Sequence, residues 1–129
     1  MVVHPGMPKI LTIDDSGFQR KIITSILEQE GYTVLSAENG KTGFSLASTE
    51  SPDLIICDLL MPEMDGFAFL RLVKERNLAV PVLILTSDIQ KTTREECLSL
   101  GAVDVLNKPV TKVMLVPRVK AVLGGERFP

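Results

Sequence analysis

Residues 54–66 read Leu-Ile-Ile-Cys-Asp-Leu-Leu-Met-Pro-Glu-Met-Asp-Gly, an apolar run that reaches an aspartate and passes into a turn. A short apolar run bounded by turn residues is typical of a buried strand in a parallel sheet. Pro62 stops the strand, and the Asp65-Gly66 pair favours the start of a helix. The stretch therefore predicts a strand, a loop and a helix, with Asp58 at the carboxyl end of the strand.

Three other apolar runs end in the same way, each at a polar residue. In open α/β sheets, ligands bind outside the carboxyl ends of the strands. The polar residues at these four ends are therefore expected to form one site. The runs and the residues after them are 10–13 before Asp14 and Asp15, 54–57 before Asp58, 82–85 before Thr86, and 103–107 before Lys108.

The chemistry of these residue types indicates a divalent cation and a phosphoryl group. Three carboxylates in one crevice repel each other unless they take up protons or a cation. Magnesium suits one or two carboxylates together with water and phosphate oxygens. Lys108 offers a point charge and Thr86 a hydroxyl for phosphoryl oxygens. Asp58 is then a plausible nucleophile, since a carboxylate can form an aspartyl phosphate.

Strands and helices alternate through the chain, and the pattern predicts five βα units. The first helix follows Ser16, which can cap it, and places Phe18, Ile22, Ile23, Ile26 and Leu27 on one apolar face. The second strand, residues 32–36, contributes no residue to the polar set. In the flavodoxin-like order 2-1-3-4-5 that strand is an edge. We therefore predict an α/β fold, a doubly wound five-stranded parallel sheet with helices on both faces.

Length and composition set the remaining limits. At 129 residues the chain predicts one domain over residues 9–123, with a flexible arm over 1–8 and a tail or linker start over 124–129. A net charge of −2 gives no reason to expect direct nucleic-acid binding. Cys57 and Cys97 make neither a disulfide framework nor a zinc site, and His4 is interpreted as a solvated residue. Since no apolar stretch reaches membrane-spanning length, we predict no membrane contact and a cytoplasmic protein.

The ordered set of motifs closely resembles the receiver domain of two-component response regulators. The resemblance covers residues 9–123, and its most specific part is the loop Met61-Pro62-Glu63-Met64-Asp65-Gly66 after Asp58. It implies that Asp58 accepts a phosphoryl group from a histidine kinase or histidine phosphotransfer protein. It also implies that Thr86 is the switch hydroxyl and that Lys108 contacts the phosphoryl group, before a cis bond to Pro109.

The resemblance also implies a metal site and partners. Asp15, Asp58 and the backbone carbonyl of Leu60 would bind Mg²⁺ directly, or Mn²⁺ in its place, and Asp14 would bind through water. The protein would be a regulatory domain rather than an enzyme, although it would assist its own phosphorylation and dephosphorylation. Its output would pass to a downstream effector domain or protein, or through a homodimer.

Two residues depart from the family pattern. Val105 stands three residues before Lys108, where members usually carry an aromatic side chain that rotates with the switch hydroxyl. Pro117 falls within the last predicted helix, where proline removes a backbone donor. Both lie on the face through which receivers usually contact partners.

Two other functions remain open from the sequence. A haloacid-dehalogenase-like phosphatase also uses an aspartyl phosphate and magnesium, but its nucleophile follows the first strand as Asp-x-Asp, a spacing that Asp14-Asp15 lacks. A pseudo-receiver would be a pure interaction module, and the complete polar set argues against it.

Overall fold

The computed structural model describes residues 7–125. His4 and most of the predicted arm and tail lie outside the described residues, so the predicted domain boundaries stay predictions. Strands and helices alternate as the sequence predicts. The elements are β1 Lys9–Ile13, α1 Gly17–Gln29, β2 Thr33–Ala37, α2 Gly40–Glu50, β3 Leu54–Asp58, α3 Gly66–Glu75, β4 Val82–Thr86, α4 Lys91–Ser99, β5 Asp104–Asn107 and α5 Lys112–Leu123.

The five strands form one parallel sheet in the order β2-β1-β3-β4-β5, which confirms the predicted topology. The register places Asp58 opposite Leu85 on β4, and Thr86 opposite Asn107 on β5. Because every strand runs in the same direction, the carboxyl ends of β1, β3, β4 and β5 all lie along one side of the sheet. We call this side the carboxyl edge.

Two apolar cores lie on the two faces of the sheet, since alternate strand residues point to opposite sides. On one face, Leu11 and Ile55 pack with Phe69 of α3 and Cys97 of α4. On the other face, Ile10 and Ile56 pack with residues of α1 and α5 such as Leu27 and Leu115. The prediction of helices on both faces is confirmed.

Side-chain caps fix where the helices begin. The Ser16 hydroxyl accepts a hydrogen bond from the Gln19 N–H at 3.2 Å, and the Asp65 carboxylate accepts one from the Ala68 N–H at 2.8 Å. Such caps satisfy backbone donors that have no partner within the helix. They hold the first turns of the helices at the carboxyl edge, next to the predicted site.

Phe18 departs from the prediction, because its side chain is 75% exposed rather than packed on the apolar face of α1. The fully buried positions of this helix are Ile23 and Leu27. Phe18 lies in the first turn, at the margin of the stripe that they define and beyond the end of β1. No helix within residues 7–125 combines the length and apolar character needed to cross a membrane.

Candidate functional site

Three carboxylates converge at the carboxyl ends of β1 and β3, which are neighbouring strands in the interior of the sheet. One oxygen from each of Asp14, Asp15 and Asp58 lies within 4.8 Å of the others. Asp14 and Asp58 are buried, whereas Asp15 is exposed. We call these three residues the acidic site; their oxygens are the hard ligands that a divalent cation of the magnesium type prefers.

Lys108 supplies the positive charge of the site. Its Nζ lies 2.9 Å from Asp58 Oδ1 and 3.4 Å from Asp14 Oδ2. Burial works against the ammonium, but the hydrogen bond and charge of Asp58 outweigh it and raise the pKa of Lys108. The lysine therefore stays protonated at neutral pH. This ammonium contacts two of the three carboxylates, and the Arg20 guanidinium donates to the Asp14 backbone carbonyl at 2.6 Å. Two positive charges against three carboxylates leave the site with a negative excess.

The Asp58 carboxyl responds to the same surroundings. Burial raises its pKa, and the nearby charge of Asp14 adds to this, while the hydrogen bond from Lys108 opposes it. Only 6% of the residue is exposed, so little of Asp58 is open to solvent. The neighbouring Cys57 is fully buried, and burial raises the pKa of its thiol well above the ordinary value, so this cysteine stays a neutral thiol.

Thr86 lies at the end of β4, next to β3, and is almost fully buried. Its hydroxyl oxygen accepts a hydrogen bond from the Asp88 N–H at 3.0 Å. The Lys108 N–H donates to the Thr86 carbonyl at 2.8 Å, which ties the ends of β4 and β5 together. The structure thus places Thr86 one residue beyond the β4 partner of Asp58, with its hydroxyl hydrogen-bonded to its own loop.

The loop from Leu59 to Gly66 forms the wall next to Asp58. The Gly66 N–H donates to the Leu59 carbonyl at 2.7 Å, and a side chain at Gly66 would lie only 2.9 Å from Leu59 Cα. Glycine is therefore required for this closure. Leu60 is held at the exposed top of the loop. Its backbone carbonyl as a metal ligand stays a prediction. The Lys108–Pro109 bond is cis, as expected.

A third buried carboxylate, Asp104 on β5, was missed by the sequence reasoning. Its Oδ1 lies 3.0 Å from Arg94 Nη2 of α4, and its Oδ2 lies 2.8 Å from Arg118 Nη1 of α5. Arg94 also donates to the carbonyl of Val105 at 2.8 Å. We call these three charged residues the Asp104 bridge. A charged residue inside the apolar run 103–106 was the signal that could have revealed it.

Comparison with known proteins agrees with this geometry. Residues 10–120 match the response regulator receiver domain family. The chain is 40% identical over 121 residues to the protein PilH of Pseudomonas aeruginosa, with 92% of this chain and 100% of PilH covered. It also spans about half the length of longer regulators. One is the SphR regulator of alkaline phosphatase synthesis from Synechococcus elongatus, 35% identical, with 89% of this chain and 48% of SphR covered.

Solved structures have the same fold. The receiver domain of the Francisella response regulator 1452 superimposes with a TM-score of 0.87 at 30% identity, covering 92% of this chain and 98% of that one. The CheX-CheY-BeF3-Mg complex of Borrelia burgdorferi contains a chain with a TM-score of 0.85 at 26% identity, covering 89% of this chain and 88% of that one. Both likenesses extend over the strands that carry the acidic site.

Proposed function

This chain belongs to the response regulator receiver domain family, the regulatory signalling domains of two-component systems, and we propose that it is a phosphorylation-activated switch. In this proposal Asp58 accepts a phosphoryl group from a histidine kinase or a histidine phosphotransfer protein. The observation that carries it is the contact of the buried Asp58 carboxylate with Lys108 at 2.9 Å, beside the carboxylates of Asp14, which is buried, and Asp15, which is exposed.

The transfer requires a nucleophile and compensation for the phosphoryl charge. A carboxylate oxygen of Asp58 forms a new bond to phosphorus while the bond from phosphorus to the donor imidazole nitrogen breaks. The electron pair of that bond leaves with the imidazole, which takes up a proton. Lys108 is held protonated where the phosphoryl oxygens would lie, and Thr86 can offer its hydroxyl to one of them.

The residues of the acidic site fit a magnesium ion. They bring three carboxylates together with one compensating lysine, an excess of negative charge that is costly without a cation. Asp15 and Asp58 would hold Mg²⁺ or Mn²⁺ directly, with the Leu60 carbonyl, and Asp14 would hold it through water. When bound, the ion supplies positive charge toward the phosphoryl oxygens.

The surface around the acidic site supports a protein donor. Within residues 7–125, four of the five exposed large apolar side chains lie at the carboxyl edge, in the first turns of α1 and α5 and in the loops after β3 and β4. Exposed apolar side chains at the same end of the sheet as the acidic site favour contact with a protein partner there. This apolar rim consists of Phe18, Leu60, Ile89 and Val113, which are 67–86% exposed.

Output is proposed to pass from Thr86 through its loop to a partner. Val105 is buried against the face that carries α2, α3 and α4, and its β-branched side chain has little freedom to rotate. The moving part is therefore the segment from Thr86 to Lys91 with the first turns of α4. The partner that responds to this movement is a downstream effector domain or protein, or a second copy of this chain. A cytoplasmic location remains a prediction.

Phosphorylation of the 129-residue chain tests the proposal. Incubation with acetyl phosphate and magnesium should add one phosphoryl group by intact mass, and Asp58→Asn should abolish it while the domain stays folded. Glu63→Gln is the matched control, because it removes an exposed carboxylate from the same loop and should leave the adduct.

Each alternative function has its own outcome in this experiment. Persistent phosphorylation of the Asp58→Asn protein would contradict the assigned acceptor. Rapid multiple turnover of small phosphate esters would indicate the phosphatase. A chain that takes up no phosphoryl group from acetyl phosphate or from a phosphorylated histidine would be a pseudo-receiver.

A further inference from the structure

Asn107, the last residue of β5, contacts the loop that follows Thr86. Its side-chain Nδ2 donates to the Asp88 carbonyl at 3.1 Å, and a longer contact of 3.5 Å reaches the Thr86 carbonyl. The shorter contact carries the argument, because 3.5 Å is near the limit of a hydrogen bond. Asn107 is exposed, and both of these acceptors are backbone carbonyls rather than carboxylates of the acidic site.

Asp88 connects this contact to the switch hydroxyl. Its N–H donates to Thr86 Oγ1 at 3.0 Å, while its carbonyl accepts from Asn107. Its carboxylate accepts from the Gln90 N–H at 2.9 Å and from the Thr93 hydroxyl at 2.7 Å. Asp88 is therefore bonded to the end of β4, to the end of β5 and to the first turn of α4.

We infer that Asn107 is a positioning residue for Thr86: by holding the Asp88 carbonyl, it keeps the Asp88 N–H on the Thr86 hydroxyl and opposes reorientation of that hydroxyl toward a phosphoryl group on Asp58. The inference rests on the proposed function, in which Thr86 is the switch. In this arrangement β5 contacts the Thr86 loop through Asn107, so its effect on Thr86 does not depend on rotation of the buried, β-branched side chain of Val105.

The backbone reinforces this arrangement. The Lys108 N–H donates to the Thr86 carbonyl at 2.8 Å, so the end of β5 holds the loop at Thr86 through its backbone and at Asp88 through Asn107. The backbone bond belongs to the strand end and is present whatever side chain lies at 107. The Asn107 side chain is the part of this hold that a substitution can remove without disturbing the sheet.

Removing the side-chain bond should favour the phosphoryl-bound arrangement. One net hydrogen bond corresponds to about a two- to tenfold change in an equilibrium constant. Asn107→Leu keeps a side chain of similar size and removes the donor. We expect it to tighten the binding of beryllium fluoride, whose fluorides stand in for the phosphoryl oxygens, by about two- to tenfold.

Titration of the whole chain with beryllium fluoride and magnesium, followed by amide NMR, measures this affinity. In the Asn107→Leu protein, the free-state Asp88 amide signal should also move part of the way toward its bound position. Asn107→Ala is a second variant that removes the donor with a smaller side chain. Ser36→Leu is the matched control, because Ser36 is exposed near the end of the other edge strand, β2, and should leave the affinity unchanged.

The Thr86→Ala background decides whether Asn107 acts through Thr86. There, Asn107→Leu should no longer change the affinity. Unchanged or weaker binding in the Asn107→Leu protein would overturn the inference, and so would an equal gain in both backgrounds. If the unsubstituted chain binds no beryllium fluoride at Asp58, the proposed function itself has failed, and the inference fails with it.

Discussion

The acidic site and the Asp104 bridge both bury carboxylates on the same sheet, but they differ in how charge is compensated. In the acidic site, the ammonium of Lys108 contacts two of the three carboxylates, those of Asp14 and Asp58. In the bridge, the single carboxylate of Asp104 lies between the guanidinium groups of Arg94 and Arg118. The first group has a negative excess at the mouth of a crevice, and the second is a compensated contact between α4, β5 and α5.

This difference separates a site from a structural contact. A buried carboxylate with hydrogen-bonded cations on both sides has its charge satisfied within the protein. A cluster with too few cations is satisfied only by a ligand, so its stability depends on metal and on pH. The comparison predicts that substitutions in the two groups change stability in opposite directions.

The largest effect is expected for Asp104→Ala. It removes the carboxylate that Arg94 and Arg118 share and the acceptor for the Val105 N–H, 2.8 Å away. Breaking a fully buried ion pair costs about 3 kcal/mol, and the cost should be lower here because the two arginine side chains are 39% and 40% exposed. The free energy of unfolding, measured with urea, should fall by about 2 kcal/mol.

A surface ion pair provides the control for this prediction. Glu95 lies 3.8 Å from Lys91 on the exposed face of α4, and Glu95→Ala should cost less than about 0.5 kcal/mol. If Asp104→Ala cost no more than Glu95→Ala, the Asp104 bridge would not hold the helices to the sheet.

Magnesium should affect only the acidic site. At about ten times its dissociation constant, a ligand that binds only the folded state raises the free energy of unfolding by about 1.4 kcal/mol. The unsubstituted chain and Asp104→Ala should both show this gain, and Asp15→Ala should lose it. Urea denaturation with magnesium and with a chelator measures the difference; an equal gain in Asp15→Ala would remove Asp15 from the metal ligands.

The sequence predicted the acidic site because parallel strands impose a shared edge. Asp14, Asp58 and Lys108 each directly follow an apolar run or end one, and the alternation of strands and helices placed those ends together. No knowledge of side-chain packing was needed for this step. The same logic predicted the strand order, since β2 contributed no polar residue and proved to be an edge.

The Asp104 bridge could not be predicted in this way, because it depends on how α4 and α5 are rotated against the sheet. Arg94 and Arg118 are separated from Asp104 by 10 and 14 residues and reach it from opposite sides in sequence. The prediction that Phe18 lies on the buried face of α1 was wrong for a related reason. Helical periodicity gave its angular position but not that the first turn of α1 extends beyond the packed edge of the sheet.

Asp15→Ala should raise stability when no divalent ion is present. Its carboxylate lies within 4.8 Å of those of Asp14 and Asp58, and Asp15 is exposed. Like charges about that far apart repel by about 1 kcal/mol where water screens them as it does in bulk solution. Denaturation in chelator should therefore show a modest gain in the free energy of unfolding. Glu63→Gln, which removes an exposed carboxylate outside the acidic site, should show none. A loss of stability in Asp15→Ala would mean that the acidic site is not under repulsion.

The smallest expected effect is the pH dependence that Asp58 contributes without metal. Burial raises the pKa of this carboxyl above its ordinary value of 3.8, so the folded state binds the proton more tightly than the unfolded state does. The resulting stabilisation is complete below the ordinary pKa and is lost as pH rises through the raised pKa of the folded state. Asp58→Asn has no such proton to lose. The free energy of unfolding of Asp58→Asn relative to the unsubstituted chain should therefore increase from about pH 3 to about pH 7, by less than about 1 kcal/mol because the mouth of the site is open to solvent.

Urea titrations of both proteins in chelator measure this difference. Saturating magnesium should reverse its sign at neutral pH, since only the unsubstituted chain keeps the full set of ligands. A difference that shrinks with rising pH would show that Lys108 stabilises the Asp58 carboxylate more than burial destabilises it, and the acidic site would then resemble the Asp104 bridge.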